Sequence, residues 1–283
     1  MQMTLLPSVL LVFLMMSSSV QANDTTRYEH GETTMSTSNG NKTYPYRILK
    51  PANRNTSAPL VIFLHGAGER GDDNQRQLTY LPERFLDAPH LNTRDCFVLV
   101  PQCPSDDSWS PFRARDSWSP FRARKDRPVE QTKALKAATV TIQKILSEEN
   151  IDTSRIYLTG LSMGGFGSWD LAARHPDWFA AVIPICGGGD PRTASKLTDV
   201  PIWAFHGDTD KIVPESASQR MVTAIRNAGG RPAYTVLPGV GHASWPYAYG
   251  PRGAMDWMFA QRNPHPPTSF SSTDAGPESK TEP

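Results

Sequence analysis

The sequence predicts an α/β domain with a mainly parallel central sheet and helices on both faces. Three observations predict it. Short all-apolar runs recur at residues 60–64 (LVIFL), 97–100 (FVLV), 156–158 (IYL), 181–185 (AVIPI), 202–205 (IWAF) and 234–237 (YTVL). Runs of this length suit strands buried on both faces, as in a parallel sheet. Amphipathic stretches lie between them. The two kinds of segment alternate, and that order gives parallel strands joined by crossover helices.

The elements follow in chain order. Residues 44–49 alternate polar and apolar and are expected to form an early strand. The run at 60–64 ends at His65-Gly66, and the run at 97–100 ends at Pro101. A helix is expected over 129–149, with Pro128 near its start and Leu135, Ala138, Ile142, Ile145 and Leu146 on one stripe. The strand at 156–158 leads through Thr159-Gly160 into a helix over 163–174. Further helices are expected over 215–227, stopped by Gly229-Gly230, and over 253–261.

Composition bounds the function. The 283 residues fit one large domain or two small ones. Twenty-nine Lys+Arg against 28 Asp+Glu leave +1, with no basic stripe, so no electrostatic case for nucleic acid exists. A mean hydropathy of -0.45 excludes a multi-span membrane protein. Residues 5–16 are almost entirely apolar and lead to Val20 and Ala22 in the −3 and −1 places of a small-residue cleavage site. Pro7 and the shortness of the run argue against a span, which needs about 20 residues. A signal peptide is expected over 1–22, giving a secreted or periplasmic protein without a membrane span; a retained N-terminal anchor is the alternative. Residues 23–43 are polar and 263–283 are rich in Pro, Ser, Thr and acids, so both are expected to lie outside the folded domain over 44–262.

A tandem repeat interrupts the pattern. DSWSPFRAR occupies 107–115 and again 116–124. Two copies cannot build a solenoid, and a perfect repeat fits a local duplication held in a loop.

The chemistry sits at strand ends, where ligands meet an open α/β sheet. Gly160-Leu161-Ser162-Met163-Gly164 matches G-x-S-x-G between an expected strand and helix, the setting of a nucleophile elbow. A serine hydroxyl needs a base, and the base needs a carboxylate, in the chain order Ser, Asp, His. Asp210 follows the strand at 202–205 within FHGDTD, and His242 follows the last strand within GVGH. Asp210 is preferred to Asp208, for which a loop-bonding role is expected. His206 and His65 end strands and are expected to satisfy loop hydrogen bonds. Two backbone donors would hold an oxyanion: Met163, directly after Ser162, and Ala67 in the glycine-rich loop HGAGERG.

With these motifs the chain resembles the α/β-hydrolase superfamily. It is most similar to carboxylesterases related to dienelactone hydrolases, feruloyl esterases and poly(3-hydroxybutyrate) depolymerases, a subgroup often labelled predicted peptidases or phospholipase/carboxylesterases. The similarity runs from about Tyr44 to Gln261 and rests on LHGAGERG, PQCP, GLSMGG, PICGGGD, FHGDTD and GVGHASW. It implies an α/β-hydrolase catalytic domain, a triad on Ser162, Asp210 and His242, and oxyanion donors on Ala67 and Met163. It also implies hydrolysis of a small-molecule or polymer ester through an acyl-enzyme, with no metal or organic cofactor. The family carries one tryptophan-containing loop near the pocket where this chain carries its repeat. Trp109 and Trp118 are both candidates to line the substrate site, together with Trp245. Phe112, Phe121 and Tyr247 extend that aromatic set.

Cys96, Cys103 and Cys186 are expected to be free and mostly buried. Seven residues of strand between Cys96 and Cys103 span roughly 23 Å, too far for a bridge. Two rival functions remain at this level: a serine peptidase of the prolyl-oligopeptidase type, and a non-catalytic polymer-binding protein on the same fold.

Overall fold

The computed structural model of the chain describes residues 25–37, 40–88, 91, 94–112, 129–251 and 253–270. Its strands are β1 (Glu29–Thr37), β2 (Gly40–Leu49), β3 (Ala58–Leu64), β4 (Phe97–Pro101), β5 (Ile151–Leu161), β6 (Ala181–Ile185), β7 (Trp203–Gly207) and β8 (Ala233–Leu237). They form one sheet in the order β1-β2-β4-β3-β5-β6-β7-β8. β1–β2 and β2–β4 pair antiparallel, and all other pairs are parallel. The parallel strands β4-β3-β5-β6-β7-β8 therefore carry an antiparallel ribbon, β1 and β2, on one side only.

Strand alternation explains why the central runs are apolar throughout. Leu60, Ile62 and Leu64 of β3 face one core, with Leu99 and Leu158. Val61 and Phe63 face the other, with Val98, Val100, Tyr157 and Ile183. The first core is closed by α2 (Lys133–Glu148), α3 (Met163–Arg174) and α4 (Ser216–Asn227), through Leu135, Ile142, Trp169, Met221 and Ile225. The second is closed by α1 (Leu81–Asp87), α5 (Trp245–Ala248) and α6 (Met255–Ala260), through Leu81, Phe85, Ala248, Met255 and Met258. With every β3 side chain buried, each strand turn buries apolar surface on both faces at about 25 cal/mol per Å².

Three expectations are corrected. The fold begins before Tyr44: β1 and the first part of β2 occupy sequence expected to be unstructured. Backbone pairing along the whole β1–β2 register holds this polar ribbon, and Thr33 Oγ1 bonds Thr141 Oγ1 of α2 at 2.7 Å. The helix expected over 129–149 begins at Lys133, because Thr132 caps it by accepting the Leu135 N–H at 3.2 Å. The start of the tail is packed as well. Asn263 N–H donates to the Ser154 carbonyl at 2.9 Å, and Phe270 meets Trp178 edge-on at 5.5 Å. The signal peptide expected over 1–22 and the end of the tail lie outside the described residues. No described helix is long and apolar enough to cross a membrane.

Candidate active site

Ser162 lies between the end of β5 and the start of α3, with φ 55° and ψ −116°. Such a backbone costs a non-glycine residue about 1–3 kcal/mol and persists only where its surroundings enforce it. Here they do. Ser162 N–H donates to the Ile185 carbonyl of β6 at 2.9 Å. At Gly164 the helix presses on β3 so closely that a Cβ would stand 1.8 Å from the Leu64 carbonyl oxygen.

His242 reaches Ser162 from the loop after β8. Its Nε2 accepts from Ser162 Oγ–H at 2.8 Å, and its Nδ1–H donates to Asp210 Oδ2 at 2.7 Å. These partners fix the tautomer, since one ring nitrogen meets a hydroxyl and the other a carboxylate. The Asp210 side chain is fully buried, while His242 keeps 21% of its side-chain surface. Asp210 Oδ1 accepts the N–H groups of Ile212 at 2.8 Å and Val213 at 3.0 Å. Burial alone would raise the Asp210 pKa. Hydrogen bonds from His206, His242, Val213 and Ile212 overturn that and hold the carboxyl well below the ordinary carboxylate range.

The Asp210 and His242 loops are laced together. Thr209 N–H donates to Val240 O at 3.1 Å, and Gly239 N–H donates to Asp208 Oδ1 at 2.7 Å. A Cβ on Gly207 would stand 2.2 Å from Val240 O, so only glycine lets the two loops meet. Asp208 thus bonds loop backbone, as expected, and Asp210 is the aspartate brought to His242.

On the other side of Ser162 lies the loop after β3. Ala67 is exposed there, and Met163 opens α3. His65 braces this loop from below. Its Nδ1–H donates to Gly66 O at 2.7 Å, and its Nε2 accepts the Cys103 N–H at 3.0 Å. Arg70 Nε–H donates to Ala67 O at 3.0 Å.

The family model for phospholipases and carboxylesterases matches residues 47–249. The chain belongs to the phospholipase/carboxylesterase family. A crystal structure of a thermostable esterase is 36% identical with a TM-score of 0.67, covering 82% of this chain and 63% of that one. The bifunctional acetylxylan esterase/xylanase XynS20E of Neocallimastix patriciarum is 29% identical over 169 residues, 59% of this chain and 21% of that protein. Poly(3-hydroxyalkanoate) depolymerase C of Paucimonas lemoignei is 30% identical over 138 residues, 49% of this chain and 30% of that protein. The chain spans less than a third of the length of these two curated relatives.

Within this phospholipase/carboxylesterase frame the aromatic candidates separate. Trp109 does not line an open pocket. It is 1% exposed, its Nε1–H donates to His65 O at 3.0 Å, and its ring stands edge-on to His65 at 5.2 Å. It packs beneath the loop that carries Ala67, because Asp107 anchors its segment by accepting the Ala134 N–H at 2.8 Å. Trp118 and Phe121 lie outside the described residues, while Phe112 packs beside Phe166 and Val213. Trp245 does adjoin the site, edge-on to His242 with ring centres 5.9 Å apart. Tyr80 stands edge-on to Trp245 at 5.0 Å and was not singled out by sequence. Its only sequence signal is Pro82 two residues on, opening α1.

The three cysteines are free and buried. Burial pushes the Cys186 thiol up to about 12, so it carries no thiolate beside Ser162. No group of three His, Cys, Asp or Glu among the described residues is arranged to hold a metal.

Proposed function

We propose that the chain is a secreted serine carboxylic-ester hydrolase acting through an acyl-enzyme. The observation that carries this reading is the line Asp210–His242–Ser162, with contacts of 2.7 and 2.8 Å at a strained elbow. His242 takes the proton from Ser162 Oγ as the oxygen attacks the ester carbonyl. Asp210 holds the ring and stabilises the imidazolium. The Ala67 and Met163 N–H groups receive the oxyanion. Collapse expels the alcohol, protonated by His242. Water, activated by the same base, then releases the acid. Trp245 and Tyr80 supply an aromatic wall beside the base, with Tyr247, 54% exposed, further out. Such a wall suits an uncharged ester, small or polymeric, and needs no cofactor.

The test is Ser162→Ala on short-chain p-nitrophenyl esters, beside an aminoacyl-proline anilide. The wild type should turn over the ester faster than the anilide, and the variant should lose at least about three orders of magnitude in kcat. Full ester hydrolysis by the variant, or faster anilide cleavage by the wild type, overturns the reading. Secretion is tested separately, by finding Asn23 as the first residue of exported protein.

A further inference from the structure

A second histidine touches the proposed acid. His206, near the end of β7, is fully buried and has no part in the proton transfers above. Its Nε2 lies 2.9 Å from the Val213 carbonyl oxygen and 3.3 Å from Asp210 Oδ2. Its Nδ1 lies 2.8 Å from Ser218 Oγ on α4. Ser218 Oγ in turn lies 2.8 Å from the Gly187 carbonyl oxygen, just past β6.

Counting hydrogens decides what this ring does. Nε2 faces a carbonyl and a carboxylate, which only accept, so Nε2 carries a hydrogen. Ser218 has one hydroxyl hydrogen, placed between Nδ1 and the Gly187 carbonyl. Wherever that hydrogen points, the Nε2–H is unchanged. Asp210 Oδ2 therefore receives the His242 Nδ1–H and a share of the His206 Nε2–H. Oδ1 receives the two loop N–H groups, so all four acceptor directions of the carboxylate are occupied. Val213 closes the ring: its N–H binds Asp210 and its carbonyl accepts from His206.

The far end of the chain of bonds reaches the nucleophile's helix. A Cβ on Gly187 would stand 2.5 Å from the Gly165 carbonyl carbon, so Gly187 backs directly on the first turn of α3. The titratable groups facing Asp210 are His206 from β7, the strand before its loop, His242 from the loop after β8, and Cys186 just past β6. α4 contributes the neutral Ser218.

We propose that His206 is a positioning residue for Asp210: its Nε2–H fixes Oδ2 beneath His242 and shares its charge, and the Ser218–Gly187 bonds tie that arrangement to the nucleophile elbow. This rests on the triad reading above. Loss of the Nε2–H leaves Oδ2 bonded to His242 alone. The full carboxylate charge then favours the imidazolium form of His242, and the base gives up its proton at higher pH.

The experiment is a pH profile of kcat/KM for wild type, His206→Ala, His206→Gln and Ser218→Ala, with thermal unfolding of each. The Gln amide can replace the Nε2–H donor. His206→Ala should lower kcat about ten- to a hundredfold with KM little changed. Its acid limb should move up by about half a pH unit or more. His206→Gln should recover most of both. Ser218→Ala, which keeps the ring, should move the limb the same way by less. A folded His206→Ala enzyme with the wild-type acid limb overturns the proposal. So does a Gln variant no better than Ala. Should His206→Ala fail to fold, an unmoved limb in Ser218→Ala overturns it instead. Ser162→Ala separates the two claims: retained activity there sinks the triad reading, while an inactive Ser162→Ala with unmoved limbs in the His206 series sinks only this one.

Discussion

His65 and His206 occupy matching places and do different work. Each sits at the carboxyl end of a parallel strand, is fully buried and is followed by glycine. His65 meets a carbonyl on one nitrogen and an N–H on the other, so it is a neutral strut between the Ala67 loop and Cys103, just past β4. His206 meets a carboxylate and a carbonyl on the same nitrogen. One site flank is thus held by neutral bonds and packing, the other by bonds that converge on a buried charge. The difference teaches where each kind of damage should appear. Changes on the Asp210 flank should alter rate, and changes beneath the Ala67 loop should alter stability.

The largest expected effect tests the Asp210 flank. Asp210→Asn keeps the shape but disfavours the Nδ1–H tautomer of His242, and kcat should fall by about four orders of magnitude while unfolding changes little. A loss below tenfold would break the contrast. On the opposite flank, Trp109→Ala removes a buried indole and its bond to His65 O. Denaturant unfolding should show a loss of about 3–5 kcal/mol. Equal stability would mean that Trp109 does not hold the loop.

A pH experiment sharpens the contrast further. Burial pushes His65 down to about 4, partly offset by its bond to Gly66 O, against 6.5 for the free side chain. The unfolded chain therefore binds the extra proton first. The stability due to neutral His65 is complete above pH 6.5 and is lost as pH falls from 6.5 toward 4, by up to about 3 kcal/mol. His65→Gln should unfold with a flatter pH dependence in that window, whatever its absolute stability. The smallest effect belongs to Asp208→Asn, which keeps an acceptor for the Gly239 N–H. Activity should stay within about twofold and stability within about 1 kcal/mol. A large loss of rate would return Asp208 to the contest with Asp210.

Much of the candidate site was legible because turn chemistry marks it. Ser162, Asp210 and His242 each follow an apolar strand and sit among glycines, and at Gly160, Gly164 and Gly207 backbones nearly touch. The central strands were legible because burial on both faces leaves no polar residue in the run. β1 was not, since EHGETTMST buries Thr33 and little else and is held by backbone pairing. α1 has seven residues, too few to show a period. Sequence left the place of Trp109 open, because an indole packed under a loop and an indole lining a cleft have the same neighbours in sequence. His206 was legible as a buried loop histidine. Its contact with Asp210, four residues on, crosses a turn rather than a helix, so no spacing rule exposes it.

The close approach at Gly164 has an evolutionary consequence. The atom that excludes a side chain there is the Leu64 carbonyl oxygen, part of the main chain of a central strand. Most steric constraints in a core can be relieved by shrinking the neighbouring side chain, which makes them depend on genetic background. This one has no such partner. No substitution at position 64 removes the obstruction, so Gly164 should be invariant across sequence backgrounds that keep this sheet, without compensating pairs.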